Sequence, residues 1–357
     1  MKKIFTVKSS AILLMLLLVL FLVVLNFSGA AQTPKPIELK IGHGDPPNNF
    51  TTLNITVPWT ESMEKATNGR IKFIHYPSSS LFPANETLTA IETGITDVSW
   101  SPISSFPGRF SLTEVMFLPF LASKPDSGIY TRVVNELYDT VPEIQQEFST
   151  VKLLYLCSLE PYCVCTAKKP VHKLEDLKGL KIRVSGRIAS KIVEKLGASP
   201  VNISLADVYD AAAKGVIDGA LLSTDMIVAF QLHQVFPYVT RAPLWASVEF
   251  WAMNKDRWES FPKDMQEQIM SVNGMTAALT ESTNRYGQKF QDEFEAMQKK
   301  DGKEITWYTL PPDEVSRWRE IAGPPIWEEW VAEVGAKGLP ARKVLDKALE
   351  LFREYEQ

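Results

Sequence analysis

The sequence predicts a two-lobed α/β protein, with mixed, mainly parallel sheets covered on both faces by helices and the lobes joined by crossing strands and a long bracing helix. Three observations carry this reading. Short apolar runs of period 2 alternate with helical runs from Ile37 to Leu222, the pattern of parallel strands linked by crossover helices. The chain has 357 residues, more than one small core accommodates. A late apolar and aromatic run, Val248 to Met253, sits where a return crossing between two lobes belongs.

The chain opens with Lys2 and Lys3, an unbroken apolar run from Ala11 to Leu25, and the small residues Ser28-Gly29-Ala30-Ala31. This is the pattern of an export signal cleaved near Ala31, and its apolar run is short of the roughly 20 residues that span a bilayer. Residues 1–31 are therefore expected to be removed, leaving a free periplasmic protein, with an uncleaved segment anchoring the chain to the membrane as the alternative. The three cysteines, Cys157, Cys163 and Cys165, lie far from that junction, so no lipid anchor is expected. Cys163 and Cys165 flank one residue on a short strand, a loop too cramped for an easy disulfide, and a bridge from Cys157 to either stays open. Their spacing and the scattered histidines do not form a zinc pattern, and no metal or other cofactor is expected. A hydrophobic fraction of 45%, a charged fraction of 22% and a net charge of −4 describe a globular protein with no call for nucleic acid.

Ile37 to Ile41 alternates as a first strand and ends in Gly42-His43-Gly44-Asp45-Pro46-Pro47. The prolines exclude a dinucleotide loop and leave a turn at the strand's C-terminal end, where open α/β sheets place ligands. Thr56–Thr67 reads as a helix, Arg70–Tyr76 as a second strand, Glu86–Thr93 as a helix stopped by Gly94, and Asp97–Trp100 as a third strand with Trp100 at its tip. After an irregular stretch over 112–120 come helices over 129–137 and from about Pro142, then strands over 151–157 and 162–167 that make the first crossing. Leu180, Ile182 and Val184 alternate with Lys181, Arg183 and Ser185, so Arg183 sits on the polar face of an otherwise apolar strand. Ser185-Gly186 then starts a helix, whose amides open beside the guanidinium. A planar guanidinium beside helix N-terminal amides suits a carboxylate. A helix over 206–214 and a short strand over 220–222 follow. Helical spacing dominates 262–300, long enough to brace both lobes, and a strand over 304–308 precedes helices over 315–322, 325–334 and 342–355. The expected divisions are 32–159 and 160–249 for the two lobes, 250–300 for the crossing strand and bracing helix, and 301–357 for a C-terminal strand and helices packed on the lobes.

The ordered segments LEDLKGLK, IRV, LGASPV and LADVYDAAAKGVIDGA resemble the solute-binding proteins of tripartite ATP-independent periplasmic (TRAP) transporters, the DctP-type family. The likeness continues upstream through ATNGRIKFIHYPSSSLFPANETLTAIETGITDVSW and FLPF, and downstream through FWAMNKDRWESFPKDMQEQI. This resemblance implies a cleft that closes on a carboxylate, with Arg183 as chief anchor and no catalysis. It implies membrane transport subunits, driven by an ion gradient, as partners of a chain expected to be monomeric. A ligand-sensing subunit that signals to a membrane receptor uses the same closing cleft and is the alternative. No nucleophile–base pair or metalloprotease motif points to an enzyme.

Two departures from the family pattern bear on the ligand. Dicarboxylate and sialic-acid binders carry a second arginine about twenty positions before the anchor, where this chain has Cys163. They also carry a Glu-Asn pair after the VDG turn, where Leu222 replaces the asparagine. Both changes remove polar contacts, so an apolar or aromatic monocarboxylate is expected. Trp100 and Tyr162, with Trp245, Phe250 and Trp251, are candidates for an aromatic wall, and His43 and Arg187 for secondary contacts.

Overall fold

The computed structural model describes residues 35–123 and 126–357; the expected export segment lies outside the described residues. Contacts divide off the unit Glu38–Gln357, which carries the two lobes, each built on one sheet. The first sheet has the order β2-β1-β3-β10-β4. Its strands are β1 (Ile37–Gly42), β2 (Ile71–Tyr76), β3 (Val98–Pro102), β4 (Val151–Ser158) and β10 (Val248–Asn254). The second has the order β11-β9-β5-β8-β6-β7, from β5 (Cys163–Thr166), β6 (Lys181–Val184), β7 (Ser199–Asn202), β8 (Gly219–Leu222), β9 (Tyr238–Arg241) and β11 (Thr306–Thr309). Both sheets are mixed. β1 and β3 are parallel, as are β6 with β7 and β8, whereas β10 runs antiparallel to β3 and β4, and β5 antiparallel to β8 and β9.

The helices α1 (Val57–Ala66), α2 (Thr87–Glu92), α3 (Ser127–Thr140) and α4 (Pro142–Glu147) belong with the first sheet, and α5 (Arg187–Lys195), α6 (Val208–Ala213) and α7 (Thr224–Ala229) with the second. α1 is preceded by a π-turn at Thr52–Thr56. Strand β7 and helix α7 carry no clear periodic signal; β7 contains Pro200, which its edge position tolerates because no ladder donor is needed there.

Three expectations need correction. Val248–Met253, read as a return crossing, is the strand between β3 and β4; the crossing is the segment before it, 242–247. The expected single bracing helix over 262–300 is three helices after α8 (Lys255–Glu259): α9 (Lys263–Ser271), α10 (Met275–Tyr286) and α11 (Gln288–Asp301). Gly274, at φ +64°, and Gly287 break it; a Cβ on Gly287 would stand 2.5 Å from the Thr283 carbonyl oxygen. α10 packs on α3 and β4, whereas Phe294 of α11 belongs to the core of the second sheet, so the chain passes between lobes at that break. Conversely, the two helices expected around Pro324-Pro325 are one, α12 (Pro312–Gly335), held through the prolines by the buried Trp318, Trp327 and Trp330. α12 packs on α5, and α13 (Ala341–Tyr355) packs on α12 and α3, giving a second link between the lobes.

The two strand crossings are tied to each other: Leu159 N–H donates to the Ser247 carbonyl and Tyr162 N–H to the Trp245 carbonyl, both at 2.8 Å. The rings of Tyr162 and Trp245 stack at 4.7 Å. Among the described residues no helix is long and apolar enough to cross a membrane.

Candidate functional site

Alternation in β6 decides the fate of Arg183. Ile182 and Val184 enter the larger apolar core, so the residue between them projects from the opposite face, beside Val201 of β7 and Ala220 of β8. That face is not open water: Arg183 is 4% exposed. Its Nε donates to the Ile203 carbonyl at 3.1 Å, and no carboxylate among the described residues forms an ion pair with it. Burial lowers its pKa, with Tyr162 opposing, yet a guanidinium stays charged. A buried cation without a counter-ion is costly, which makes the space in front of it attractive to an anion.

That space is a cavity of about 930 Å³ between the sheets. The first lobe contributes Asp45 and Phe50 from the loop after β1, Trp100 and Ser101 from β3, and Glu249 from β10. The second contributes Arg183, Asn202 to Leu205, and Asp225, Met226 and Phe230 around α7. Tyr162 lines it from the crossing, and Arg285 and Phe290 from α10 and α11.

The polar groups fall into two poles. Arg183 stands at one. At the other, Arg285 donates to Glu249 at 2.9 Å and to Glu281 in a short contact, all three almost fully buried. Burial, partly countered by Arg285, raises the pKa of Glu249. Burial likewise raises that of Asp45, against a hydrogen bond from Asn49. Asp225 accepts from the Tyr286 hydroxyl at 3.2 Å. One guanidinium thus serves several carboxylates, and it offers an incoming anion much less than Arg183 does.

A family model described as bacterial extracellular solute-binding protein, family 7 (DctP), matches residues 41–333. The chain belongs to this family. It is a family of binding proteins for transport, not of enzymes. The C4-dicarboxylate-binding periplasmic protein DctP of Rhodobacter capsulatus is 24% identical over 323 residues, 87% of this chain and 91% of that protein. A TRAP solute-binding protein from Rhodoferax ferrireducens, solved in complex with copurified benzoate, superposes with a TM-score of 0.80 at 25% identity, covering 90% of this chain and 98% of that one. A marine metagenome TRAP solute-binding protein specific for aromatic acid ligands, solved with 3-hydroxybenzoate, gives 0.79 at 25% identity, with 90% and 99% covered. The two-sheet architecture is that of these family members.

Of the residues singled out in the sequence, the fold brings Arg183, Trp100 and Tyr162 to the large cavity. The helix N-terminus beside Arg183 opens elsewhere: Gly186, Arg187, Ile188 and Ala189 line a smaller chamber of about 270 Å³, which shares Ser104, Tyr162, Ser185 and Ser247 with the large one. There Arg187 pairs with Glu333 of α12. Phe250 projects from β10 on the face opposite Glu249 and packs on Phe106 and Phe110 in the core. Cys163 and Leu222 are cross-strand partners in the core of the second sheet, and burial pushes the Cys163 thiol up to about 12. His43 is 1% exposed, packed edge-on against His75, with neither ring nitrogen hydrogen-bonded. These four are not among the residues lining the cavity. All three thiols are free and buried.

The acidic pole was not foreseen. Its signals in the sequence are a lone carboxylate inside the apolar run VEFWAM and Asp45 in the loop after the first strand, two residues beyond His43.

Proposed function

We propose that this protein captures a small aromatic monocarboxylate in the periplasm and presents it to the membrane subunits of a TRAP transporter for ion-gradient-driven uptake. The observation that carries the reading is Arg183, a cation buried at a cavity wall with no counter-ion among the described residues. Its two terminal nitrogens take the carboxylate as a fork, while Trp100 and Tyr162 flank the ring. The likeness to one protein solved with benzoate and another with 3-hydroxybenzoate supports an aromatic guest. Membership of a periplasmic binding-protein family supports the compartment, with the signal cleaved near Ala31. The lobes, taken as 32–159 and 160–249 with β10 returning to the first, close on the ligand as one monomer. Thermal-shift screening tests this. Benzoate, phenylacetate and related aryl acids should stabilise the protein; stabilisation by dicarboxylates or sugar acids with none by aryl acids overturns the aromatic assignment.

A further inference from the structure

The cavity is not the lining a plain aryl acid calls for. Beyond the exposed Glu293 at its edge, its ionisable walls are Arg183, Arg285, Glu249, Asp45 and Asp225. One terminal nitrogen of Arg285 serves both Glu249 and, behind the wall, Glu281, while its Nε is buried with no hydrogen-bond partner among the described residues. Among the described residues Asp45 and Asp225 form no ion pair, although Arg285 attracts Asp45 from a distance, and one oxygen of Asp45, Oδ2, is sealed from solvent with no hydrogen-bond partner. Asp45, Asp225, Glu249 and Arg285 interact electrostatically with one another, whereas Arg183 stands on β6 and forms no ion pair with them. Tyr162, which lines the cavity from the crossing, is influenced by Asp225, Arg183 and Glu249 alike. A simple monocarboxylate neutralises Arg183 and leaves the acidic pole facing an apolar ring, an arrangement that strands acceptors in a partly dry space.

We infer that the ligand is bipolar, a carboxylate whose far end carries a hydrogen-bond donor, an ammonium or a hydroxyl, which Asp45 and Asp225 accept. The inference rests on the carboxylate reading of Arg183 and adds the group at the opposite end. Acceptors aimed at a donor discriminate strongly against the analogue that lacks it, because the unmet acceptor stays behind. An ammonium also balances the excess negative charge and ranks above a hydroxyl.

Isothermal titration of the full mature chain with matched ligands tests it: benzoate, 3-hydroxybenzoate and 3-(aminomethyl)benzoate, together with hexanoate and 6-aminohexanoate as a pair that does not depend on ring fit. The expected result is a tenfold or greater gain for the donor-bearing member of at least one pair. Asp225→Asn and Asp45→Asn should each reduce that gain, with circular dichroism confirming that the variants are folded. Equal or tighter binding of benzoate and hexanoate overturns the bipolar ligand while leaving the carboxylate site standing. If no acid in the series binds, the carboxylate reading falls and this inference with it. If either variant fails to fold, the wild-type series alone decides.

Discussion

Replacing Arg183 with alanine separates two contributions that usually move together. In the empty protein Arg183 is 4% exposed and its guanidinium has no ion-pair partner among the described residues, so its removal relieves a desolvation cost of several kcal/mol. Against this stands the loss of the Nε hydrogen bond to the Ile203 carbonyl, about 1 kcal/mol, and of the packing of the arginine stem. The two oppose, and the melting temperature of the ligand-free variant should stay within about 4 °C of wild type. Binding has no such compensation. Nε is already occupied, which leaves the two terminal nitrogens for a forked contact, and losing one partner of a buried charge pair costs about 2–5 kcal/mol. Benzoate affinity should therefore fall by about 30- to 5,000-fold by isothermal titration. Arg183→Lys, which keeps the charge but loses the fork, should fall between the two. Affinity retained within threefold would show that the acid binds elsewhere. A fall of ten degrees or more in the empty variant would show that Arg183 holds the fold together.

Further tests probe the walls of the site. Arg285→Ala leaves Glu249 and Glu281 buried together and should destabilise the protein by about 3–5 kcal/mol in urea unfolding; an unchanged midpoint would mean that the triad is hydrated. Gly219→Ala places a Cβ 2.4 Å from the Cys165 carbonyl oxygen within the β5–β8 ladder and should cost about 1–3 kcal/mol by the same measurement. His43 has its pKa lowered from 6.5 to about 4 by burial and by His75. The unfolded chain therefore binds this proton first as the pH falls, and stability drains between pH 6.5 and 4, by about 2–3 kcal/mol. Asp45, Glu147 and Glu160, whose pKa values burial raises, act in the opposite direction. The readout is thus the stability of His43→Leu relative to wild type, which should rise on acidification as only wild type loses this contribution; parallel curves would contradict it.

Strand alternation and order along the chain were legible because each is local. The pattern around Arg183 identified both the strand and the odd residue on it, and the small residues after β6 marked the start of α5. What was not legible depends on neighbours far away in sequence. Phe250 and Glu249 are adjacent in an apolar run, and only the register of β10 against β3 and β4 decides which faces the cavity. Cys163 lies at the spacing of a family ligand residue, yet pairing with Leu222 turns it into the core, while its neighbour Tyr162 reaches the site. The stretch 262–300 has helical periodicity throughout, and two glycines, at positions that periodicity treats as neutral, divide it.

The two poles also bear on how binding moves the protein. Arg183 and Asp225 belong to the second lobe, Asp45 and Glu249 to the first, and the crossings between them are bonded at Leu159–Ser247 and Tyr162–Trp245. Asp225 of one lobe disfavours the ionised forms of Asp45 and Glu249 of the other, and repulsion among these carboxylates, when ionised, works against closure. A ligand shifts the equilibrium between open and closed only by its differential affinity for the two states. A plain acid held by Arg183 reaches the first lobe only through its ring against Trp100 and leaves the repulsion in place. A bipolar acid places a donor between Asp225 and Asp45, turning a repulsive pair into two acceptors of one group and joining the lobes through the ligand. Small-angle scattering of the protein with each member of a matched pair should therefore show compaction with the donor-bearing acid and little with its plain counterpart at equal occupancy.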